Sequence, residues 1–251
     1  MWQPSEIKYS IESFQTSTGV VRVMTDAGVG FLKALGSSQG PHSLVREYVG
    51  TSVAKFLGLK TLEFAIIVVH SEDEIVLGTG ENAVPGPAFI TKEVQSAIPG
   101  TVEIKKVSNT NEFAGLVLTD TLLLNKDRFP GIRVGNPNYD NLLFVKSSTD
   151  HTKYELITMD FSYCMHTSHS IGRTLAHIDS VKNEAIYGLF PEFKEFITTD
   201  TIKPFKDKLN LLDAECINTI LTSVPVEWDF NQTTKEILKD FLVSRAYYLY
   251  D

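Results

Sequence analysis

The sequence predicts an α+β fold in which a strand-rich first part precedes a mainly helical second part. Short segments rich in Val, Ile, Phe and Thr, the pattern typical of strands, dominate the chain before residue 95. Longer segments with apolar residues at helical spacing dominate the chain after residue 105. We therefore expect two lobes around a shared cleft, one over residues 1–95 and the other over residues 96–251.

The first lobe begins with a predicted β-hairpin. Val20–Thr25 and Gly30–Leu35 are two β-prone runs, and the turn signal Asp26-Ala27-Gly28 separates them. Thr61–Val69 and Ala88–Val94 are predicted as two further strands of the same lobe.

One helix is predicted between the second and third of these strands. Gly40-Pro41 suits its start, because proline lacks the N–H that the first helical turn leaves without a partner. Gly58 suits its end, because glycine tolerates the positive φ of a helix C-cap. Between these residues an apolar stripe recurs at helical spacing, formed by Val45, Val49, Val53 and Phe56.

The second lobe is predicted to contain mostly helices. Glu112–Leu124 has a helical apolar pattern, and Leu142–Val145 with Tyr154–Phe161 is predicted as a short strand pair. The segment Arg128–Asp140 is long for a loop in a compact domain, which is typical of functional loops. Three further helices are predicted, over Val181–Ile197, Asp213–Thr222 and Thr233–Tyr250.

The overall composition is that of an ordinary soluble protein. With 23 basic and 31 acidic residues the net charge is −8, which argues against direct binding of nucleic acid by the overall field of the protein. Two cysteines are too few for a disulfide framework, and the longest apolar run, Phe64–Val69, is far shorter than the ~20 residues that span a membrane. The N-terminus lacks the pattern of a signal peptide, so we expect a cytoplasmic protein without a membrane partner.

Lys33 and Glu47 are candidate functional residues of the first lobe. Lys33 lies in the middle of an otherwise apolar strand, where an ammonium needs a partner. It is either a phosphate-binding lysine or a lysine that extends to solvent at the edge of the strand. Glu47 lies on a helix face on which Gly50 and Thr51 are small, so that another group can approach it. It either pairs with Lys33 or is solvated.

Asp127, Asn141 and Asp160 are candidate functional residues of the second lobe. Asp127 follows an apolar helix, Asn141 begins a predicted strand, and Asp160 ends another. A carboxylate and an amide on adjacent strands make a site of hard oxygen atoms, which suits Mg²⁺. Asp127 is either a base that orients an attacking hydroxyl or an acidic residue of a polar loop.

Three stretches of the chain resemble sequence motifs of HipA-like kinases. The first runs from Asp26–Lys33 to the helix that carries Glu47. The second contains Asn125–Arg128 and the asparagines that follow it up to Asn141, and the third is Ile157–Ser162. Together they cover roughly residues 15–170. The resemblance implies a two-lobed, protein-kinase-like fold with ATP in the cleft between the lobes.

The resemblance also implies roles in nucleotide binding. Lys33 would hold the α- and β-phosphates of ATP, and Glu47 would pair with Lys33. Lys92 and Val94, in the segment that joins the lobes, would offer backbone groups to adenine.

Asp127 would orient the acceptor hydroxyl, and Asn141 and Asp160 would ligate Mg²⁺. Fourteen positions separate Asp127 from Asn141, a longer interval than the family pattern has, which leaves Asn138 or Asn136 as alternatives to Asn141.

HipA-like proteins are typically bacterial serine/threonine kinases, some of which act as toxins restrained by a partner. The resemblance thus implies transfer of the γ-phosphate to a protein, including the kinase itself, and an antitoxin-like regulatory partner. Two alternatives stay open: a kinase of lipids or other small molecules, and a nucleotide-binding pseudokinase that acts as a regulatory module.

Two weaker patterns do not predict sites. Cys164, His166 and His169 have no obvious fourth partner for a structural zinc site. Gly78-Thr79-Gly80 lacks the lysine and the helix of a phosphate-binding loop and is predicted as a turn.

Overall fold

A five-stranded antiparallel sheet in the first part of the chain and helices in the second give the α+β fold that the sequence predicts. The structure is a computed structural model that describes residues 2–97, 102–131, 134–165 and 170–250.

The sheet has the strand order β1-β2-β3-β5-β4. Its strands are β1 Ile7–Ser13, β2 Val21–Thr25, β3 Gly28–Lys33, β4 Phe64–Val69 and β5 Gly86–Lys92. The predicted hairpin is confirmed, since Thr25 pairs with Gly28 across the turn Asp26-Ala27. Lys33 pairs with Phe89, so β3 and β5 lie side by side where the sheet faces the second part.

The first strand, β1, is absent from the sequence-based prediction. Of its residues only Ile7 is buried and the other six are exposed. An alternation of buried and exposed residues, on which strand prediction depends, therefore does not arise in this segment. Its pairing with β2 is also interrupted by two irregularities, as is common at the edge of a sheet.

Helix α1, His42–Leu57, follows the hairpin and ends at Gly58, which has φ 90° as predicted. Its apolar residues pack mainly against the helices of the second part rather than forming a core with the sheet alone. The elements of the second part are α2 Glu112–Leu123, β6 Leu142–Lys146, β7 Tyr154–Thr158, α3 Ile178–Val181, α4 Thr199–Leu209, α5 Ala214–Thr222 and α6 Gln232–Tyr250. None of the helices in the described ranges is long and apolar enough to cross a membrane.

The predicted helix Val181–Ile197 is wrong. α3 ends at Val181, Gly188 has φ 70°, and Pro191 begins a short 3-10 segment. Gly188 is packed so closely on the Asp120 carboxylate that a Cβ would overlap it. The helix that forms nearby is α4, which begins at the reciprocal cap between Thr198 and Thr201.

Candidate active site between the sheet and the helices

A cavity of about 420 Å³ lies between the sheet and the second part of the chain. Its wall on the sheet side includes Phe31 and Phe89, and its wall on the other side includes Leu143 and Met159. A mostly apolar cavity of this size with a few charged groups at one end is typical of a small-molecule site. Lys33, Glu47 and Asp160 lie at that charged end.

Lys33 lies between two carboxylates. Its Nζ donates a hydrogen bond to Glu47 Oε1 and another, of 3.2 Å, to Asp160 Oδ1. Its side chain is only 14% exposed, so it does not extend to solvent. Burial alone would lower the pKa of Lys33, but the two carboxylates outweigh burial and hold this pKa above its ordinary value. The ammonium therefore stays charged in the cavity.

Glu47 connects α1 with the segment that follows β7. Its Oε1 accepts from Lys33, and its Oε2 accepts from the backbone N–H of Phe161 at 3.1 Å. The residue is 2% exposed, so it is not a solvated helix glutamate. Burial, opposed by the charge of Lys33, raises the pKa of Glu47 to about 7.

Small residues on one face of α1 leave room for the segment that contains Phe161 to approach Glu47. A Cβ on Gly50 would overlap the side chain of Phe161, so only glycine leaves room for that ring against the helix. Phe161 is fully buried there. The contact fixes the backbone next to Asp160, one residue before Phe161.

Asp160 lies two residues beyond β7, which ends at Thr158 and not at Asp160 as predicted. The strand stops early because Asp160 adopts a left-handed conformation with φ 60°. Its Oδ1 also accepts from Ser162 Oγ at 2.7 Å. Burial would raise the pKa of Asp160, but the Lys33 ammonium and the Ser162 hydroxyl lower it below its ordinary range, so the carboxylate stays ionised.

Asp127 and Asn141 form a second pair, which is not part of the cavity lining but lies close enough to Asp160 and Lys33 for their charges to affect the pKa of Asp127. The chain leaves α2 through Leu124, which has φ 54°, and reaches Asp127 three residues later. Asn141 Nδ2 donates to Asp127 Oδ2 at 2.7 Å, and Asn141 is 6% exposed. Partial burial raises the pKa of Asp127, an effect opposed by this hydrogen bond.

The two alternative asparagines are placed differently. Asn138 donates its backbone N–H to the carbonyl of Arg128 at 2.9 Å, and Asn136 is exposed. No side-chain hydrogen bond joins either residue to Asp127 or Asp160 within the described ranges. The structure thus brings Asn141, and neither alternative, against Asp127.

Arg128 is a residue of the site that sequence reasoning missed. It is completely buried, and its Nε donates to Asp120 Oδ2 at 2.7 Å. Its Nη1 donates to the carbonyl of Asn141, and its Nη2 donates to that of Met159 at 2.6 Å. One guanidinium therefore holds the backbone at both candidate magnesium-binding segments, next to Asp127 itself.

Asp120 is the partner that makes this burial possible. It lies on α2 with no exposed surface and also accepts from Asn125 Nδ2 at 2.9 Å. Burial, opposed by Arg128, raises the pKa of Asp120 to about 6. A carboxylate within an otherwise apolar helix was a signal in the sequence, because such a group is seldom buried without a partner.

Lys92 and Val94 both line the cavity, at the point where the chain leaves the sheet. The Lys92 N–H donates to the carbonyl of Glu63 at 2.8 Å, so the Lys92 carbonyl is the backbone group that remains to bind a ligand. The Lys92 side chain pairs with Glu63 instead of entering the cavity. Val94 N–H has no backbone partner among the described residues.

The donor set of the site fits Mg²⁺ bound together with phosphates. Within the described residues no three His, Cys, Asp or Glu side chains are grouped as a metal site. One carboxylate and one amide, as Asp160 and Asn141 provide, are the ligands that protein kinases use for a metal that also contacts the nucleotide. His166 and His169, considered above with Cys164, lie outside the described residues, and Cys164 is buried.

Comparisons with known proteins give the fold and the family of this chain. A search of curated proteins gives no match. Eleven chains of solved structures match, among them the Helicobacter pylori proinflammatory kinase CtkA. The similarity to CtkA covers 99% of this chain and 98% of that chain, with a TM-score of 0.59 and 15% identity, and at that identity it shows the fold alone.

A sequence model of the HipA-like kinases matches residues 24–248. The match includes the C-terminal helices, in which the sequence offered no recognisable motif. Because it covers most of the chain, the protein belongs to the HipA-like kinase family.

Proposed function

We propose that this kinase binds ATP with Mg²⁺ in the cavity and transfers the γ-phosphate to a serine or threonine hydroxyl of a protein. The observation that carries the proposal is the convergence of Lys33, Glu47 and Asp160 at the charged end of the cavity. A nucleoside triphosphate needs a cation for its phosphates and an apolar surface for its base. Lys33, held between two carboxylates at the end of an apolar cavity, provides both.

In this proposal the apolar part of the cavity takes adenine. The Val94 N–H, which has no backbone partner among the described residues, and the Lys92 carbonyl bind its polar edge, while Lys33 binds the α- and β-phosphates. Glu47 orients Lys33 toward the phosphates. The hydrogen bond from the Phe161 N–H to Glu47 supports this role, because it connects the Lys33–Glu47 pair to the segment that carries Asp160.

Asn141 and Asp160 are proposed as the ligands of Mg²⁺, which when bound neutralises charge on the phosphates. The ionised state of Asp160 supports this role. The contact between Asn141 and Asp127 favours Asn141 over Asn138 and Asn136.

Asp127 is proposed to accept a hydrogen bond from the acceptor hydroxyl and to orient it toward the γ-phosphate. Its carboxylate is half-buried and held by Asn141, so its position is fixed before the substrate arrives. A raised pKa suits a group that receives a proton during transfer.

The proposal includes a division into lobes over residues 1–95 and 96–251, which the end of β5 at Lys92 supports. It also includes a cytoplasmic location, autophosphorylation, and an antitoxin-like partner as in toxin members of the family. The family relationship is the basis for the last two of these points.

The test is incubation of the purified chain with Mg²⁺ and γ-labelled ATP, with and without a generic protein acceptor. We expect label on serine or threonine with the wild type and none with Asp127→Ala. Asp140→Ala, an exposed aspartate of the same loop, is the matched control and should label like the wild type.

The other outcomes separate the alternatives. ATP binding by calorimetry without any transfer would favour a pseudokinase, and transfer only to lipids or other small molecules would favour that class of kinase. Absence of ATP binding would refute the proposal.

A further inference from the structure

The turn Gly78-Thr79-Gly80 lies against the loop between β1 and β2, residues 14–20. This loop overhangs the cavity, since Phe14 and Thr16 are part of the cavity wall together with Val20. Phe14 also contacts Phe31, with ring centroids 5.9 Å apart. The loop is therefore the element of the sheet that would cover a nucleotide in the cavity.

Contacts between the loop and the turn are made by backbone atoms. Gly78 N–H donates to the Gly19 carbonyl at 3.3 Å. Next to the loop, the side chain of Ser13, the last residue of β1, donates from Oγ to the Val76 carbonyl, just before the turn, at 2.7 Å. A Cβ on Gly78 would overlap the carbonyl oxygen of Phe14. Gly78 has no positive φ that requires glycine, so this close approach is what demands the absence of a side chain.

The turn is more firmly held than the loop. Ile75 and Leu77, 3% and 1% exposed, anchor it in the core of the sheet, and Leu77 N–H bonds to the Glu81 carbonyl at 2.8 Å. The loop exposes residues 15–17, and the backbone bonds of the Phe14, Thr16 and Gly19 N–H groups all end within the loop, so they do not anchor it to the core of the sheet. If the two are forced apart, the loop moves.

We propose that Gly78 is a positioning residue for nucleotide binding, because it lets the turn hold the β1–β2 loop over the cavity. This inference rests on the proposed binding of ATP in that cavity. Asp127, the residue proposed to orient the acceptor hydroxyl, lies in the second lobe and not in this loop, so displacement of the loop should weaken ATP binding far more than it slows transfer.

The experiment compares wild type with Gly78→Ala in the full chain, using ATP with excess Mg²⁺. Calorimetry gives the dissociation constant, and a phosphotransfer assay gives KM and kcat. We expect the dissociation constant and KM for ATP to rise about 5–10-fold while kcat stays within about twofold. Hydrogen exchange should speed up at the amides of Phe14, Thr16 and Gly19, which are bonded within the loop.

Gly172→Ala is the matched control. Gly172 has φ −113°, and among the described residues the nearest atom to a Cβ there is 4.0 Å away, so alanine should fit without strain. Ser13→Ala is a milder second variant, which removes only the bond to Val76. It should raise the dissociation constant for ATP about twofold. If Gly78→Ala does not fold, Ser13→Ala is the variant that tests the inference.

Unchanged ATP affinity in a folded Gly78→Ala protein, or in Ser13→Ala where that variant decides, overturns the inference and leaves the proposed function standing. So does a fall in kcat with unchanged affinity, because that pattern is not loss of nucleotide binding. A wild type that binds no ATP overturns the proposed function, and the inference with it.

Discussion

Asn141 donates its side-chain amide to Asp127 at 2.7 Å although fourteen positions separate the two residues. The intervening loop includes Asn136 and Asn138, which lie nearer to Asp127 in sequence but form no hydrogen bond to its carboxylate within the described ranges. Arg128 keeps the two ends of the loop together, because its Nη1 donates to the carbonyl of Asn141.

We expect Asn141→Ala to lower kcat/KM about 100-fold or more and to raise the Mg²⁺ concentration needed for half-maximal activity, since it removes a proposed metal ligand. Asn138→Ala is the matched control and should stay within about threefold of the wild type. Phosphotransfer assays over a Mg²⁺ titration measure both. The reverse result would identify Asn138 as the ligand.

We expect Arg128→Met to lower the free energy of unfolding by about 3–5 kcal/mol, because it leaves the Asp120 carboxylate buried without its cation. The double variant with Asp120→Asn should lose much less than the sum of the two single losses. Urea unfolding of the four proteins measures this coupling. Lys203→Met, which breaks an exposed ion pair with Asp207, should cost far less, because exposed ion pairs contribute little to stability.

The stability effect of Glu47→Gln should depend on pH. Folding raises the pKa of Glu47 from 4.5 to about 7, so the native state holds more protons than the unfolded state between these values. The contribution of Glu47 to stability is thus greatest below pH 4.5 and declines as pH rises to 7.

As the pH rises from 4.5 to 7, the free energy of unfolding of the glutamine variant should therefore increase relative to wild type by up to about 3 kcal/mol. Urea unfolding at a series of pH values measures the difference. A difference that does not change with pH would show that Glu47 titrates at the same pH in both states.

We expect Gly50→Ala to lower phosphotransfer at least about tenfold, because the added Cβ pushes Phe161 and the adjoining Asp160 away from α1. Helix propensity alone would stabilise the protein by up to ~1 kcal/mol, so a loss of both stability and activity would identify the contact as the cause. Ser52→Ala on the same helix is the control. Wild-type activity in Gly50→Ala would contradict the proposed arrangement.

Elements whose ends are marked by local sequence signals could be predicted from the sequence. The β2–β3 hairpin has its turn residues and α1 has its proline and its terminal glycine, and these signals act within a few residues. The false helix over residues 181–197 has an apolar pattern that suggests a helix, but Gly188 packs on Asp120, more than sixty positions away. A local pattern cannot reveal such a contact.

The same distinction applies to the buried cations. Arg245 of α6 appears in the sequence as one more charged residue of an amphipathic helix, yet it is completely buried. It donates to the carbonyls of Thr121 and Leu122 at the end of α2 and to that of Val181 at the end of α3. These acceptors become neighbours only when the helices pack.

The sequence by itself determined the α+β class, the family resemblance and the residue types that phosphoryl transfer needs, because motifs and periodicity are properties of neighbouring residues. Only the tertiary structure decided which of these residues meet. Lys33 reaches Asp160 across 127 positions, and Glu47 reaches the Phe161 N–H across 114. Such contacts depend on how α1 packs between the sheet and the helices, which no stretch of sequence specifies alone.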